Sequence, residues 1–285
     1  SLFRAFIFIR RYLNHNTTSD VILCTNSFLL FAFLFRKKTS KIFYWPHNLI
    51  FTETKTFKNL FKKLYYRIIS KGIDGVICVN ESIFFETSSL GFKNRFLTYN
   101  PIGENIEDKF DFKPSSKTLV HIAFLDKRKN TSFIIDALAT STNKSLRLKI
   151  IGEGDLKNSL REQVIELGLQ DRVSFEGFLD LNATKKIEAA ALIMASKSEG
   201  FSMVISDAMK SGIPTILPKN LDQSKIIQNN NAMGRVFSLE ESQSLTEIFN
   251  YMDWNNFDSN EIKKFYLSQF GRLRYNERMK ILFDV

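Results

Sequence analysis

Nine short strand-like segments recur along the chain, most of them separated by stretches with helical spacing: 20–24, 41–45, 75–79, 95–99, 117–124, 146–151, 172–176, 191–195 and 215–217. Among them 191–195 is a continuous apolar run bounded by polar residues, the pattern of a strand buried on both faces. Helical stretches are expected over 2–13, 27–36, 56–71, 130–139, 156–167, 181–190, 202–211 and 223–229, with closing helices from about Ser242. Strands alternating with helices give a parallel sheet covered by helices, so the chain is expected to be α/β. The alternation breaks at the polar stretch 104–117, which carries Pro114 and two serines, and then restarts. The expected division is one Rossmann-like domain over 1–112 and a second over 113–285.

The most informative segment is 190–214, AALIMASKSEGFSMVISDAMKSGIP. Its run 191–195 reads as a strand and 196–200 as a polar turn. The residues from about Ser202 read as a helix with Met203, Val204, Ala208 and Met209 on its apolar face, stopped by Gly212 and Pro214. A strand, a tight turn and a helix start place free backbone N–H groups at the carboxyl edge of a sheet, where doubly wound folds bind anions. Glu199 stands at the turn. Asp207 follows eight residues later, a little over two helical turns on, so the two acids are expected to share one side of the helix.

Glu199-Gly200-Phe201, the seven residues between the acids, Ala208-Met209 and Gly212-Ile213-Pro214 together resemble the signature of the retaining glycosyltransferases of family 4. That signature reads Glu, seven residues, Glu; here Asp207, one methylene shorter, holds the second place. Residues 150–154 with 167–177 are similar to the family's middle motif and bring in Gly152 and Gly154. Gly152-Glu153-Gly154 by itself is a turn, and it lacks the third glycine of the dinucleotide fingerprint. Asp126-Lys127-Arg128-Lys129-Asn130 lies where the family keeps its phosphate-binding Arg and Lys. Lys129 matches the Lys. The family's Arg falls near Phe124, and Arg128 is the substitute. Trp45-Pro46-His47-Asn48 resembles the family's His after a strand, and residues 74–80 and 100–102 resemble structural landmarks.

The resemblance implies a GT-B fold: two Rossmann-like domains facing across a cleft, the N-terminal one incomplete. Family members begin with a strand and a glycine-rich loop for which this chain has no counterpart, so a fragment is expected. It also implies transfer of a sugar, with retention, from a nucleotide-diphosphate sugar to a glycan or lipid-linked acceptor in bacterial surface polysaccharide or glycolipid assembly. By the same resemblance His47 and Glu199 are catalytic, and Arg128, Lys129, Gly152, Gly154, Glu199, Gly200, Phe201, Ser202 and Asp207 bind the donor. The helix N-terminus with Arg128 and Lys129 would stabilise the leaving diphosphate without a metal. No cofactor is expected beyond the donor substrate.

Charge adds a partner class. The net charge is +10, yet residues 1–71 hold 13 Lys/Arg against two acids, so the rest of the chain is near neutral. Such asymmetry implies an anionic partner. No nucleic-acid-binding motif is present, which favours a membrane surface. Residues 57–71, FKNLFKKLYYRIISK, place Phe57, Leu60, Phe61, Leu64 and Ile68 at helical spacing among five cations. No apolar run approaches the ~20 residues of a membrane span. Cys24 and Cys78 fall inside predicted strands and read as buried thiols, and three His are too few to suggest a metal centre. The expected location is cytoplasmic, peripheral on the inner face of the membrane. Three alternatives stand beside this reading: an inactive or fragmentary nucleotide-sugar-binding homologue, a basic nucleic-acid-binding protein and a GT-B sugar-nucleotide epimerase.

Overall fold

The computed structural model describes residues 21–25, 27, 30, 41–47, 50, 57–100, 109–178 and 186–283. The expected helix over 2–13, most of that over 27–36, Asn48, residues 101–103 and residues 181–185 lie outside the described residues. The chain divides into two compact units, one of Ser1–Asn100 with Tyr275–Val285 and one of Pro101–Arg274.

In the first unit, β1 (Val21–Cys24), β2 (Lys41–Tyr44), β3 (Gly75–Cys78) and β4 (Arg95–Leu97) form a parallel sheet in chain order. Every residue of β3 is buried, as its unbroken apolar sequence requires. Among the described residues of 1–100, the helices α1 (Phe57–Ile69) and α2 (Glu81–Ser88) accompany the sheet. α2 was not anticipated. Its start is fixed by Asn80, whose Oδ1 accepts from Ile83 N at 2.7 Å.

The second unit runs β5 (Phe110–Phe112), β6 (Thr118–Ile122), α3 (Thr131–Thr140), β7 (Arg147–Ile151), α4 (Lys157–Glu166), β8 (Val173–Gly177), β9 (Ile187–Ala189), β10 (Ala191–Ile193), α5 (Met203–Lys210), β11 (Thr215–Pro218), α6 (Ser224–Asn229), β12 (Gly234–Phe237), α7 (Ser242–Tyr251) and α8 (Ser259–Phe270). Six strands make an all-parallel sheet in the order β12-β11-β10-β6-β7-β8. Counted from β6, that is the 3-2-1-4-5-6 order of a doubly wound fold, and the winding reverses between β6 and β10. Leu119, Leu148, Ile150, Ile193 and Ile216 of the sheet pack with Ile134, Leu138, Leu160, Val164 and Phe249 of the helices.

Three expectations are corrected. Residues 187–189, expected in a helix, form β9, which pairs in parallel with β5. The polar stretch 104–117 is not wholly linker. Phe110 is buried in β5, Ile187 N donates to Lys109 O at 2.9 Å, and Lys113 N donates to Ala189 O at 2.9 Å. That ladder ties residues 109–113 to the second unit, so the boundary falls at 100/101 rather than 112/113. Lastly, α9 (Arg272–Phe283) passes out of the second unit into the first. There Leu282 packs on Phe43 and Ile77, and the Arg278 guanidinium lies 4.8 Å from the Tyr99 ring centre. Among the described residues no helix is long and apolar enough to cross a membrane.

Candidate active site

The reversal between β6 and β10 places two loops side by side, 123–130 after β6 and 194–202 after β10. His121 joins the strands beneath them, one ring nitrogen 2.9 Å from Ile193 O and the other 3.0 Å from Thr131 Oγ1. It is fully buried, and burial pushes its pKa down to about 4, so the ring is neutral. Its only sequence signal was a lone His in an apolar strand.

The first loop is folded by its own side chain. Asp126 Oδ1 accepts from the backbone N–H of Arg128 and of Lys129, each at 2.9 Å. This turn aims both cations at the second loop. Lys197 N donates to Arg128 O at 2.8 Å, and Arg128 NH1 donates to Ser198 O at 3.1 Å. Glu199 receives both charges: Arg128 NH1 lies 3.2 Å from its Oε2, and Lys129 Nζ pairs with its Oε1. The Lys129 and Glu199 side chains are nearly buried, whereas Arg128 is 43% exposed.

Gly152 and Gly154 support this loop from behind. Gly152 has φ +138° and a Cβ there would lie 1.9 Å from Ala123 O; at Gly154, φ +155°, it would lie 2.5 Å from Leu125 N. Backbone bonds Ala123 N to Ile151 O and Leu125 N to Glu153 O seal the contact. The structure thus gives these two glycines a close backbone approach.

The turn after Glu199 is extended at Ser202, and α5 begins only at Met203. Glu199 therefore lies in the turn, as expected, while residues 200–202 are not helical, so helical spacing does not set its relation to Asp207. Gly200, Phe201 and Ser202 are buried; the Phe201 ring sits 6.0 Å from that of Phe270. Ser202 N donates to Gln223 Oε1 at 2.7 Å, and Gln223 Nε2 returns a bond to Ser202 O at 3.1 Å. The Ser202 amide is thus already engaged by the protein. Gln223, which the sequence reading passed over, clamps the turn. Tyr266 OH braces Ser206 Oγ at 2.9 Å.

Asp207 is 15% exposed and pairs with Lys109 Nζ at 2.7 Å. Lys109 was hidden in the stretch read as linker, and nothing local in the sequence marks it. Phe124, at the place of the family's Arg, is 56% exposed. The structure brings Arg128, Lys129, Glu199 and the 200–202 turn together in the second unit, with Asp207 further along α5. His47 belongs to the first unit, past the carboxyl end of β2, its ring centre 5.3 Å from that of Trp45. Burial lowers its pKa, which leaves it neutral at pH 7. Among the described residues no cluster of three or more His, Cys, Asp and Glu could hold a metal ion.

Two cations, a carboxylate and a helix start thus meet at the switch point of a doubly wound sheet, the place where folds of this class hold their ligands. The fold is GT-B, shared with solved glycosyltransferases. The structure of Anabaena Alr3699/HepE in complex with UDP and glucose matches with a TM-score of 0.78 at 18% identity, over 99% of this chain and 81% of that one. The lipopolysaccharide outer core galactosyltransferase WaaB matches with a TM-score of 0.76 at 17% identity, over 99% of this chain and 79% of that one. The family model of glycosyl transferases group 1 matches residues 103–279, and the chain belongs to that family. Among curated proteins it is 27% identical over 215 residues to the putative glycosyltransferase EpsD of Bacillus subtilis, covering 68% of this chain and 56% of that one. It is 28% identical over 211 residues to the lipopolysaccharide 1,6-galactosyltransferase of Salmonella typhimurium, covering 70% of this chain and 56% of that one. The chain thus spans about half the length of these curated relatives.

Proposed function

We propose that the protein is a glycosyltransferase that moves a sugar, with retention, from a nucleotide-diphosphate sugar to an acceptor hydroxyl. The setting we propose is assembly of a bacterial surface polysaccharide or glycolipid, on a glycan or lipid-linked acceptor. The observation that carries this reading is the Arg128–Lys129–Glu199 cluster at the switch point. As the bond from sugar to diphosphate breaks, negative charge grows on the leaving group. Donors fixed in advance around that charge favour the transition state over the bound substrate. Glu199 holds both cations in place without exhausting them, because a guanidinium has five N–H donors and an ammonium three. The first-turn N–H groups of α5 add their partial positive charge. In this reading the cations and the helix N-terminus supply the electrostatic stabilisation that a metal gives other transferases. Asp207 accepts from the ribose hydroxyls, and neutral His47 orients the sugar or the acceptor through hydrogen bonds.

Support comes from the family match and from relatives whose names specify bacterial lipopolysaccharide transfer and a complex with UDP and glucose. A second reading, donor binding without turnover, is favoured by Phe124 standing where an Arg is expected and by Lys109 occupying Asp207. A thermal-shift screen with UDP-, GDP- and ADP-sugars tests the donor role. A donor at 100 times its Kd adds ~2.7 kcal/mol of stability, and one base should stand out. No shift with any of them would sink the donor role. Analysis of labelled products then separates transfer from mere binding and from epimerisation.

A further inference from the structure

The first unit carries a groove of its own at the amino edge of its sheet. The groove is a cavity of about 650 Å³ whose lining includes Lys41, Lys71, Lys93, Asp74, Phe43 and Phe96. Its lysines are set by backbone ties. Asp74 Oδ2 accepts from Ile42 N at 2.7 Å, and Asn94 Nδ2 donates to Asp74 O at 2.8 Å. Lys41 immediately precedes the first tie and Lys93 the second, while Lys71 lies in the turn that follows α1. Three ammonium groups thus come from three elements to one cavity. Among the described residues none of them shows an ion pair, and the one carboxylate in the lining, Asp74, is bonded to backbone.

The neighbouring helix is inside out for a buried element. On α1, Tyr66 and Ile69 are buried, yet Leu60, Leu64 and Ile68 are 63%, 56% and 45% exposed. These three repeat every four residues and form one stripe that points along the helix toward Lys71. Lys63 and Arg67 lie beside the stripe, and no acid occurs in 57–71.

We propose that this surface docks on an anionic phospholipid bilayer. The groove lysines take lipid phosphate, and α1 lays its apolar stripe into the headgroup boundary. A second copy of the chain is a poor occupant, because it would bring two strongly basic surfaces together. Free phosphate would use the lysines but leave the stripe without a role. The proposal is independent of the donor site.

Cosedimentation with vesicles tests it, comparing phosphatidylcholine alone with phosphatidylcholine containing phosphatidylglycerol, at low and high salt. Binding is expected on the phosphatidylglycerol vesicles and should fall steeply with salt. Each lysine removed should weaken it about fivefold, so Lys71→Gln/Lys93→Gln loses about 25-fold. Leu64→Gln should lose about tenfold by taking apolar surface out of the boundary. These side chains are exposed, so the variants should keep the native melting temperature. Equal binding to neutral vesicles, or none to either, would overturn the proposal. So would lysine variants that bind vesicles as the native chain does. Inorganic pyrophosphate that binds the native protein while no vesicle does would assign the groove to a free anion instead. Self-association abolished by Leu64→Gln, without lipid binding, would assign the stripe to a second copy.

Discussion

With Lys109 Nζ 2.7 Å from Asp207 Oδ2, removing either side chain leaves the other's charge in a site only 15–20% exposed. A double-mutant cycle on Lys109→Ala and Asp207→Ala should therefore show coupling of ~0.5–3 kcal/mol in urea unfolding. Asp207→Ala should also weaken donor binding by ~1.5–3 kcal/mol in calorimetry, while Asp207→Glu, which keeps the charge and restores the family's residue, should bind at least as well as native. Donor binding unchanged in Asp207→Ala would remove the ribose role. Glu199→Ala should lose turnover and keep much of its donor affinity, since Arg128 and Lys129 remain. His121 gives a pH prediction. Its pKa is about 4 in the fold against 6.5 free, so the fold binds the neutral ring. That contribution is present above pH 6.5, erodes as pH falls toward 4, and amounts to about 3 kcal/mol. His121→Gln should lose this part of the pH dependence, measured by urea unfolding at pH 7 and pH 4.5. At this scale the acids and the Arg128-Lys129 pair were legible, because a spaced signature marks them. Lys109 and Gln223 were not, because each acts on a partner distant in sequence.

The strands show how far local pattern reaches. β3 and β10 were readable because a strand buried on both faces is apolar throughout, and β2, β6 and β7 because apolar residues still dominate them. β9 and β12 escaped. β9 is three residues beside a helix-like segment and exists because β5 pairs with it; β12, GRVF, is short and broken by Arg235. α1 was placed correctly, but its faces can be assigned only when its neighbours are known. The turn between β10 and α5 depends on one side chain. Gln223→Leu leaves the Ser202 amide without its acceptor and should cost ~1–3 kcal/mol. Hydrogen exchange at Ser202 should speed up. Native-like exchange in Gln223→Leu would mean the clamp is dispensable.

The division of the molecule follows pairings that local composition does not reveal. A boundary at 112/113 would separate β5 from β9 and Lys109 from Asp207. The segment 101–274 should accordingly unfold in one transition in urea, and 113–274 should be less stable, with faster amide exchange in β9. Equal midpoints would place β5 outside the cooperative fold. The order in which the ribosome releases the chain now matters. The first unit is assembled from residues 1–100 and from residues beyond 274, with the whole second unit made between them. Leu282, which closes over Phe43 and Ile77, emerges after the second unit is complete. At about 5–20 residues per second, the second unit takes roughly ten to thirty seconds to make. Throughout that interval a sheet with all four of its strands waits without Leu282 on its Phe43 and Ile77 side. The first unit is thus begun before the second and completed after it, and the nascent chain is open to chaperones, or to aggregation, at that face while the second unit is being made.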